Sequence, residues 1–450
     1  MSNLWILTEE RPKQDVIESI VKIYCKKFSI VFKDTHSSIV PSFSNHKFIH
    51  TYNVNGYVIE GISKIYIKII SGTSSFVDFL LIKQKNEPSE DQQLQNCILA
   101  IEETKTNSTE SRNTAAGQRA IKFFFLNYYR KFYEVSFDSI MLYNNPESQN
   151  EDDPESVTFI KKCLKTIDVE FHGDKSINLK AFASIDELIS FKNNMRQPPA
   201  SNTPVRITKN DDQIFISGTL SKPKEDGNIA HDPNVGQLIC IAGTLRSLNW
   251  QGEIIITDHK VKQSIINNMR GNKFLFAMNS LDIQLKDIDA PNLFFPDNYW
   301  YYEKNGEKIA TIFLHVLCDY LRFHSIYANH AGAERGYFYT SNKSEIVIDK
   351  KIHLPDYVFA DLKNKKVYVC EGEMFNNYEQ GIIQLEGFEQ FINDYIIENY
   401  KNFSVESFVV LSNSNDDDLK EKVIFQIGSD GDIKFSTKLP HKIKSFLNDC

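Results

Sequence analysis

An aspartate interrupts an apolar segment that has the length and composition of a β-strand. Asp78 lies within the run FVDFLLI, and a polar loop over residues 83–96 separates this run from a second strand-like segment, NCILAIEETKT. In that second segment Glu103 and Lys105 are two residues apart, so their side chains point to the same face of a sheet. Charges on central strands are costly to bury without a specific reason. The sequence therefore predicts a sheet with a charged centre built into it.

This arrangement suits metal-assisted phosphate chemistry. A hairpin centred in the polar loop would place Asp78 opposite Glu103. Two carboxylates can hold Mg²⁺ while leaving other coordination positions to water and a substrate phosphate. The metal would acidify a water and stabilise charge on the phosphate, and Lys105 would position that water. Glu102 is an alternative ligand, although its side chain should point away from Lys105. The structural alternative is a turn-capping aspartate and a solvated strand face.

A second acidic constellation lies near the C-terminus. Pro355-Asp356 opens one predicted strand, and Glu371-Gly372-Glu373 closes the next, with the short turn DLKNKK between them. Pairing about this turn places Asp356 opposite Glu371, and directly paired side chains lie about 5 Å apart at Cβ. We predict that Asp356 and Glu371 share a metal ion and that Glu373 lies on the same face. The alternative is an acidic hairpin that binds no metal.

A basic helix is predicted downstream of the first constellation, over TAAGQRAIKFFFLNYYRKFY. The segment at its start carries side chains suited to phosphate and base-edge contacts. These candidate DNA-binding residues are Ser111, Arg112, Asn113, Gln118 and Arg119. The alternative is an N-capped helix that is simply exposed to solvent.

Composition limits the classes of protein that this chain can belong to. Its 450 residues are 41% hydrophobic and 12% aromatic, enough to bury a large core. The formal net charge of −8 excludes a strongly basic nucleic-acid coat, but it leaves room for a nucleic-acid enzyme with a local basic surface. The seven cysteines have no Cys-x-x-Cys pair, which favours reduced thiols in a cytoplasmic protein. We expect no membrane association.

The first constellation resembles a known family. Asp78, then Glu103-Thr104-Lys105 and the basic helix, resemble the PD-(D/E)XK nuclease superfamily, and within it type II restriction endonucleases, over roughly residues 50–140. Val77 replaces the usual proline before Asp78. The second hairpin resembles the same pattern, with Pro355-Asp356 present and Glu373 where lysine is usual, as in a minority of restriction endonucleases.

The resemblance implies a Mg²⁺-dependent type II restriction endonuclease that cleaves double-stranded DNA at a specific sequence, with a companion DNA methyltransferase. The implied catalytic residues are Asp78, Glu103 and Lys105, with Asp356, Glu371 and Glu373 as a second centre. One active centre predicts a homodimer, whereas two would let a monomer cut both strands. The alternatives are a DNA-binding module with a degenerate nuclease fold, and a structure-specific repair or recombination nuclease.

The order of predicted elements favours a mixed α/β fold with two similar halves. Residues 197–204, QPPASNTP, are rich in proline and small polar residues and form the best linker candidate. We expect a PD-(D/E)XK nuclease-like domain over 1–197, an α/β connecting or recognition region over 205–300, and a second nuclease-like domain over 301–450.

Overall fold

The computed structural model describes most of the chain. The described residues are 1–72, 76–104, 109–143, 155–173, 179–196, 205–220, 234–268, 273–289, 298–329, 335–338, 345–347, 352–414, 416 and 418–450. Residues 197–204, the predicted linker, lie outside them. So does Lys105.

Strands and helices both occur throughout the described chain, which confirms the mixed α/β class. The strands are β1 (Ser2–Thr8), β2 (Phe32–Ser44), β3 (Lys47–Ile59), β4 (Ile62–Gly72), β5 (Phe79–Gln84), β6 (Cys97–Thr104), β7 (Asp138–Tyr143), β8 (Val169–His172), β9 (Arg206–Lys209), β10 (Gln213–Ser217), β11 (Glu253–Thr257), β12 (Ile283–Leu285), β13 (Trp300–Tyr302), β14 (His324–Ala328), β15 (Arg335–Phe338), β16 (Glu345–Val347), β17 (Tyr357–Asp361), β18 (Lys366–Met374), β19 (Ser404–Ser414), β20 (Val423–Gly428) and β21 (Ile433–Phe435).

The helices include the predicted basic helix, which spans Thr109–Phe132. The α-helices are α1 (Gln14–Lys27), α2 (Thr109–Phe132), α3 (Glu155–Thr166), α4 (Ile185–Asn194), α5 (Asn234–Ser247), α6 (Gln263–Asn268), α7 (Lys273–Leu281), α8 (Lys308–Tyr320), α9 (Tyr378–Gly387), α10 (Glu389–Phe391) and α11 (His441–Asp449). A π-helical turn, Ile392–Ile397, continues α10. No helix in the described ranges has both the length and the apolar character needed to cross a membrane.

The chain divides into two compact units. Unit 1 comprises residues 1–70, 84–87 and 302–450, and unit 2 comprises residues 71–83 and 88–301. These divisions fall at other points than the three predicted domains, because residues 1–70 group with the C-terminal part of the chain and not with the residues around Asp78.

Unit 1 contains two groups of strands. The first has the order β2-β3-β4-β1, with β1 parallel to β4 and the remaining pairs antiparallel. The second has the order β16-β15-β14-β17-β18-β19-β20-β21, in which β18, β19 and β20 run parallel. The interior strands β17 and β18 are almost entirely buried, which is typical of the centre of a sheet. Helices α8 and α9 both contact β18 and β19.

Unit 2 also contains two groups of strands. In the order β5-β6-β7-β8, β5 and β6 form an antiparallel hairpin, whereas β6, β7 and β8 run parallel. The order β12-β11-β10-β9 forms a smaller sheet. Helix α2 contacts α3, α5 and α7. It meets α5 closely at Gly117, where a Cβ added to Gly236 would lie 2.8 Å from a backbone carbon of Gly117. This close approach fixes the position of α2 within unit 2.

Candidate functional site

The first acidic centre lies at the end of the β5–β6 hairpin. Phe79 pairs with Ile101, and this register continues to set Glu102 opposite Asp78. The predicted pairing of Asp78 with Glu103 was therefore wrong by one residue. An irregularity between Leu81 and Ile82 breaks the register, so the centre of the loop does not determine it. A shift of one residue exchanges the faces of a strand, which brings Glu102 instead of Glu103 to the side of Asp78.

Hydrogen bonds from backbone N–H groups to the side-chain carboxylates hold the two strand ends together. The Asp78 N–H donates to Glu102 Oε2 at 3.1 Å, and the Glu103 N–H donates to Asp78 Oδ2 at 2.7 Å. All three acidic residues are buried. Each carboxylate oxygen has more than one lone pair, so these bonds do not use up the acceptor capacity of Asp78 and Glu102.

A lysine from helix α2 bridges the two carboxylates. Lys122 Nζ lies 2.9 Å from Glu102 Oε1 and 3.4 Å from Asp78 Oδ1. Arg119 Nε lies 3.9 Å from Glu102 Oε1. Lys122 and Arg119 are three residues apart, so both project from one face of the helix. The centre thus combines two carboxylates from neighbouring strands with an ammonium group that reaches both.

Burial dominates the electrostatics of Glu102. Desolvation raises its pKa to about 8, and the charge of Asp78 adds to the rise. The Lys122 and Arg119 charges act in the opposite direction and lower this pKa. A carboxyl group with its pKa near neutrality is typical of functional sites, although structural ion pairs also produce such shifts.

The other residues predicted for this centre have different positions. The backbone of Ser111, Arg112 and Asn113 lies in the first turns of α2, but their side chains are outside the described set. Gln118 is exposed to solvent. Arg119, predicted to contact DNA, lies beside Glu102.

Sequence reasoning did not assign a role to Lys122 and gave Glu102 only second place. The sequence places Lys122 three residues after Arg119 on the predicted basic helix, but nothing in that pattern separates it from an ordinary surface lysine. Glu102 received second place because the sequence alone did not determine the register of the β5–β6 hairpin, and this register decides whether Glu102 or Glu103 lies beside Asp78.

The second acidic centre, in unit 1, has the predicted register. Tyr357 pairs with Cys370 and Val358 with Val369, which continues to Asp356 opposite Glu371. The Gly372 N–H donates to Asp356 Oδ2 at 3.0 Å. A Cβ at Gly372 would lie 2.9 Å from Asp356 Oδ2 and 2.7 Å from the Thr311 methyl carbon. Only glycine fits between the hairpin and helix α8 without displacing the aspartate.

A fourth acidic side chain acts on this centre from the segment before α8. Burial raises the pKa values of both Asp356 and Glu371, and the charges of Glu307 and Glu373 add to the rise at each. The charge of Asp356 raises the pKa of Glu371 further. Burial and Glu307 raise the pKa of Glu373 to about 7. Lys308 opposes the shift at Asp356. Glu371 and Glu373 are buried and Asp356 is half-buried, whereas Glu307 is exposed to solvent and acts on the centre from its edge.

Two buried oxygen atoms, one of them in this centre, have no hydrogen-bond partner among the described residues. They are Glu371 Oε2 and the Tyr327 hydroxyl oxygen. Tyr327 on β14 is completely buried, and burial together with the charges of Asp356 and Glu371 raises its pKa. A buried polar atom without a partner costs about 1–3 kcal/mol, so its presence requires an explanation.

The two centres offer a metal ion pairs of carboxylate ligands and not larger ligand groups. In the described part of the chain, no group of three or more His, Cys, Asp or Glu side chains is arranged to hold a metal ion. Each centre does present a pair of carboxylates, Asp78 with Glu102 and Asp356 with Glu371. Such a pair is sufficient for Mg²⁺, which keeps several waters and binds through one or two carboxylates.

Comparison with known proteins gives no relative. No family model, no curated protein and no solved structure matches this chain.

Proposed function

We propose that this chain is a Mg²⁺-dependent type II restriction endonuclease that hydrolyses phosphodiester bonds of double-stranded DNA at a specific sequence. One observation carries the proposal: Lys122 Nζ lies 2.9 Å from a carboxylate oxygen of Glu102 and 3.4 Å from one of Asp78, at the end of a buried hairpin. Two acids and an amine in mutual reach are the groups that metal-assisted phosphate hydrolysis requires.

In this proposal Asp78 and Glu102 bind the metal, and Glu103 holds Asp78 in place through its backbone N–H. Mg²⁺, when bound, supplies an acidified water and stabilises charge on the phosphate. Lys122 orients the attacking water and donates a hydrogen bond to the phosphate oxygen that gains negative charge. Arg119, on the same helix face, adds a second positive charge to hold the phosphate.

Lys105 remains the predicted alternative to Lys122 as the amine that orients the attacking water. It follows Thr104, the last residue of β6, at the end of the strand that carries Glu102. The two lysines are alternatives for one function, so their substitution separates two versions of the mechanism.

A second function is favoured by the same contacts. Lys122 and Arg119 already neutralise Glu102, which is what a purely structural ion pair would do in a DNA-binding module with a degenerate nuclease fold. This module would retain DNA at low salt, where phosphate contacts are strongest, but would not cleave it.

The deciding experiment is cleavage of supercoiled plasmid with Mg²⁺ or EDTA. We would compare the wild type with Lys122→Ala, Lys105→Ala and Glu102→Gln, and use Lys131→Ala as the control, since Lys131 is an exposed lysine on the same helix. Discrete linear fragments from the wild type and the control, lost in Lys122→Ala and Glu102→Gln, are expected. Loss in Lys105→Ala alone would transfer the amine role to Lys105.

Identical Mg²⁺ and EDTA lanes for the wild type, with DNA retained on a gel, would reject the endonuclease and favour the binding module. Smeared products without discrete fragments would favour a structure-specific repair or recombination nuclease. The cytoplasmic location, the companion DNA methyltransferase and the choice between monomer and homodimer stay predictions that follow from the endonuclease proposal.

A further inference from the structure

The carboxyl ends of the parallel strands β6, β7 and β8 meet at one edge of the sheet in unit 2. In the observed register Glu102 lies beside Met141 on β7, and Met141 lies beside Phe171 on β8. Tyr143 follows Met141 by two residues. Side chains at paired positions, and at positions two apart on a strand, lie on the same face of a sheet. The Tyr143 and Phe171 rings therefore share a face with the Glu102 carboxylate, and their centroids are 6.3 Å apart.

Two lysines of helix α3 lie over these rings. Lys161 Nζ is 5.0 Å from the centroid of the Tyr143 ring. Lys165 Nζ is 5.0 Å from the centroid of the Phe171 ring. The two lysines are four residues apart, so they project from one side of the helix. Because an ammonium group is attracted to the face of an aromatic ring, each lysine is held toward the sheet face that carries Glu102.

The ammonium group of Lys165 has no carboxylate partner among the residues that the structure describes. Its neighbour Lys162, by contrast, is paired with Glu187 at 3.2 Å. Glu170 on β8 immediately precedes the ring-bearing position, so its side chain lies on the opposite face of the sheet, where its Oε2 is 3.5 Å from His172 Nε2. The charge of Lys165 is therefore available to a ligand.

The end of β8 fixes the position of this surface. Gly173 has a φ of 77°, a conformation that favours glycine, and a Cβ at this position would overlap the Tyr143 carbonyl oxygen. Tyr143, Phe171 and Lys165 are half-buried, whereas Lys161 is only 3% exposed. Lys165 is therefore the ammonium group that a ligand can reach, and Lys161 contributes its charge from beneath the surface.

The distance from this surface to the first acidic centre suits a strand of DNA. Neighbouring strands of a sheet are about 5 Å apart, so β8 lies about 10 Å from β6. Each strand of DNA carries one phosphate for about every 3.4 Å of helix axis, so about three phosphates span this distance. A DNA strand with its scissile phosphate at Asp78 and Glu102 can therefore place a nearby phosphate at Lys165.

We propose that Lys165 binds a backbone phosphate of the cleaved DNA strand, and that the Phe171 ring positions its ammonium group. Lys161, on the Tyr143 ring, adds positive potential beneath the same strand. The inference rests on the proposed function, which supplies the position of the scissile phosphate. Phosphate contacts fix the register of a protein on DNA but read no bases, so this surface positions the substrate and does not select its sequence.

The test is binding of a fluorescein-labelled DNA duplex of mixed sequence to the full-length chain, measured by fluorescence anisotropy in EDTA over a series of KCl concentrations. We expect Lys165→Gln to weaken binding about fivefold and to reduce the slope of log K against log salt by about 1, because one phosphate contact is lost. Lys165→Arg keeps the charge and should retain the wild-type slope. Phe171→Leu should weaken binding about twofold in the wild type but not in Lys165→Gln, which separates positioning from a general loss of structure.

Lys162→Gln is the matched control, because Lys162 lies on the same helix and is paired with Glu187. It should leave the salt slope unchanged. A wild-type slope in Lys165→Gln, or an equal loss in Lys162→Gln, would overturn the inference, and so would a wild type that does not bind the duplex at the lowest salt. No Mg²⁺ and no cleavage enter this assay. A wild type that binds as expected but does not cleave plasmid with Mg²⁺ would reject only the endonuclease, so the two failures are distinguishable.

Discussion

Replacing Lys122 by methionine tests the ion pair of the first centre most directly. The change keeps the length of the apolar stem but removes the ammonium group that contacts Asp78 and Glu102. The Lys122 side chain is 16% exposed and that of Glu102 is 2% exposed, so water screens this pair poorly. At an effective dielectric constant of about 20, one pair of charges about 3 Å apart interacts by about 5 kcal/mol.

Two effects reduce that figure. Removing Lys122 also removes the cost of burying its ammonium group. Glu102, whose pKa is already raised to about 8, can take up a proton once the ammonium is lost, which limits the cost of leaving it unpaired. Breaking a buried pair from one side costs about 3–5 kcal/mol in general. We expect Lys122→Met to destabilise unit 2 by about 3 kcal/mol, the lower end of that range.

Hydrogen–deuterium exchange followed by mass spectrometry measures the local stability of each unit separately. A loss of about 3 kcal/mol should speed exchange of the slowest amides in α2, β5 and β6 by roughly a hundredfold. Peptides of unit 1 from the same sample are the internal reference, and Lys131→Met is the matched control on the same helix. The double variant Lys122→Met/Glu102→Gln should recover about 1–2 kcal/mol, because it no longer leaves a carboxylate unpaired. Less than a threefold change in exchange for Lys122→Met would refute the reasoning.

Three further predictions follow from packing and burial. Gly372→Ala should destabilise unit 1 by about 1–3 kcal/mol, because the new methyl group overlaps the Asp356 carboxylate and Thr311; unchanged urea unfolding would contradict this. Gly236→Ala should cost unit 2 a similar amount, since its Cβ meets the backbone of Gly117, and exchange of α2 and α5 amides measures it. Burial lowers the pKa of Lys192 to about 8, below its ordinary 10.5, so the unfolded chain binds more protons between these values and stability should rise with pH across that window. Lys192→Met should be more stable than the wild type at pH 7 and should lose this rise of stability with pH. Urea titrations of both proteins at pH 7 and pH 10 would test this, and a parallel pH dependence of the two proteins would contradict it.

The two hairpins show which parts of a site the sequence can determine. Residues 362–365 form a short turn between β17 and β18, so symmetric pairing about its centre predicted Asp356 opposite Glu371. The loop between β5 and β6 is longer and contains the single-turn helix Glu90–Gln92, and the register shifts between Leu81 and Ile82. The same reasoning therefore selected Glu103 where the structure selects Glu102. A short turn fixes register through its own geometry, whereas a long loop leaves register to side-chain packing.

Residues distant in sequence were the hardest to place. Strand β1 was not predicted, although NLWILT is buried over its last five residues and pairs in parallel with β4. Parallel strands are not joined by a short local turn, so no turn motif in the sequence indicates that β1 pairs with β4. Lys122 and Glu307 act on the two centres from helix α2 and the segment before α8, where each is indistinguishable in sequence from an ordinary surface residue. The strands that carry carboxylates could be predicted, but the charges brought to them by other elements could not.

The two centres differ in how their carboxylates are balanced, and that difference separates their behaviour toward cations. In the first centre Lys122 has to leave one of its two carboxylates before that oxygen can coordinate a metal ion, so metal binding competes with an existing ion pair. A substrate phosphate would give the displaced ammonium a new partner, so in the proposed reaction the binding of DNA and of metal should favour each other. In the second centre no ammonium group of the described residues contacts the carboxylates, so a cation bound there would relieve repulsion without displacing one of them. Metal binding measured without DNA should therefore report mainly on Asp356 and Glu371, whereas metal-dependent cleavage should report on Asp78, Glu102 and Lys122.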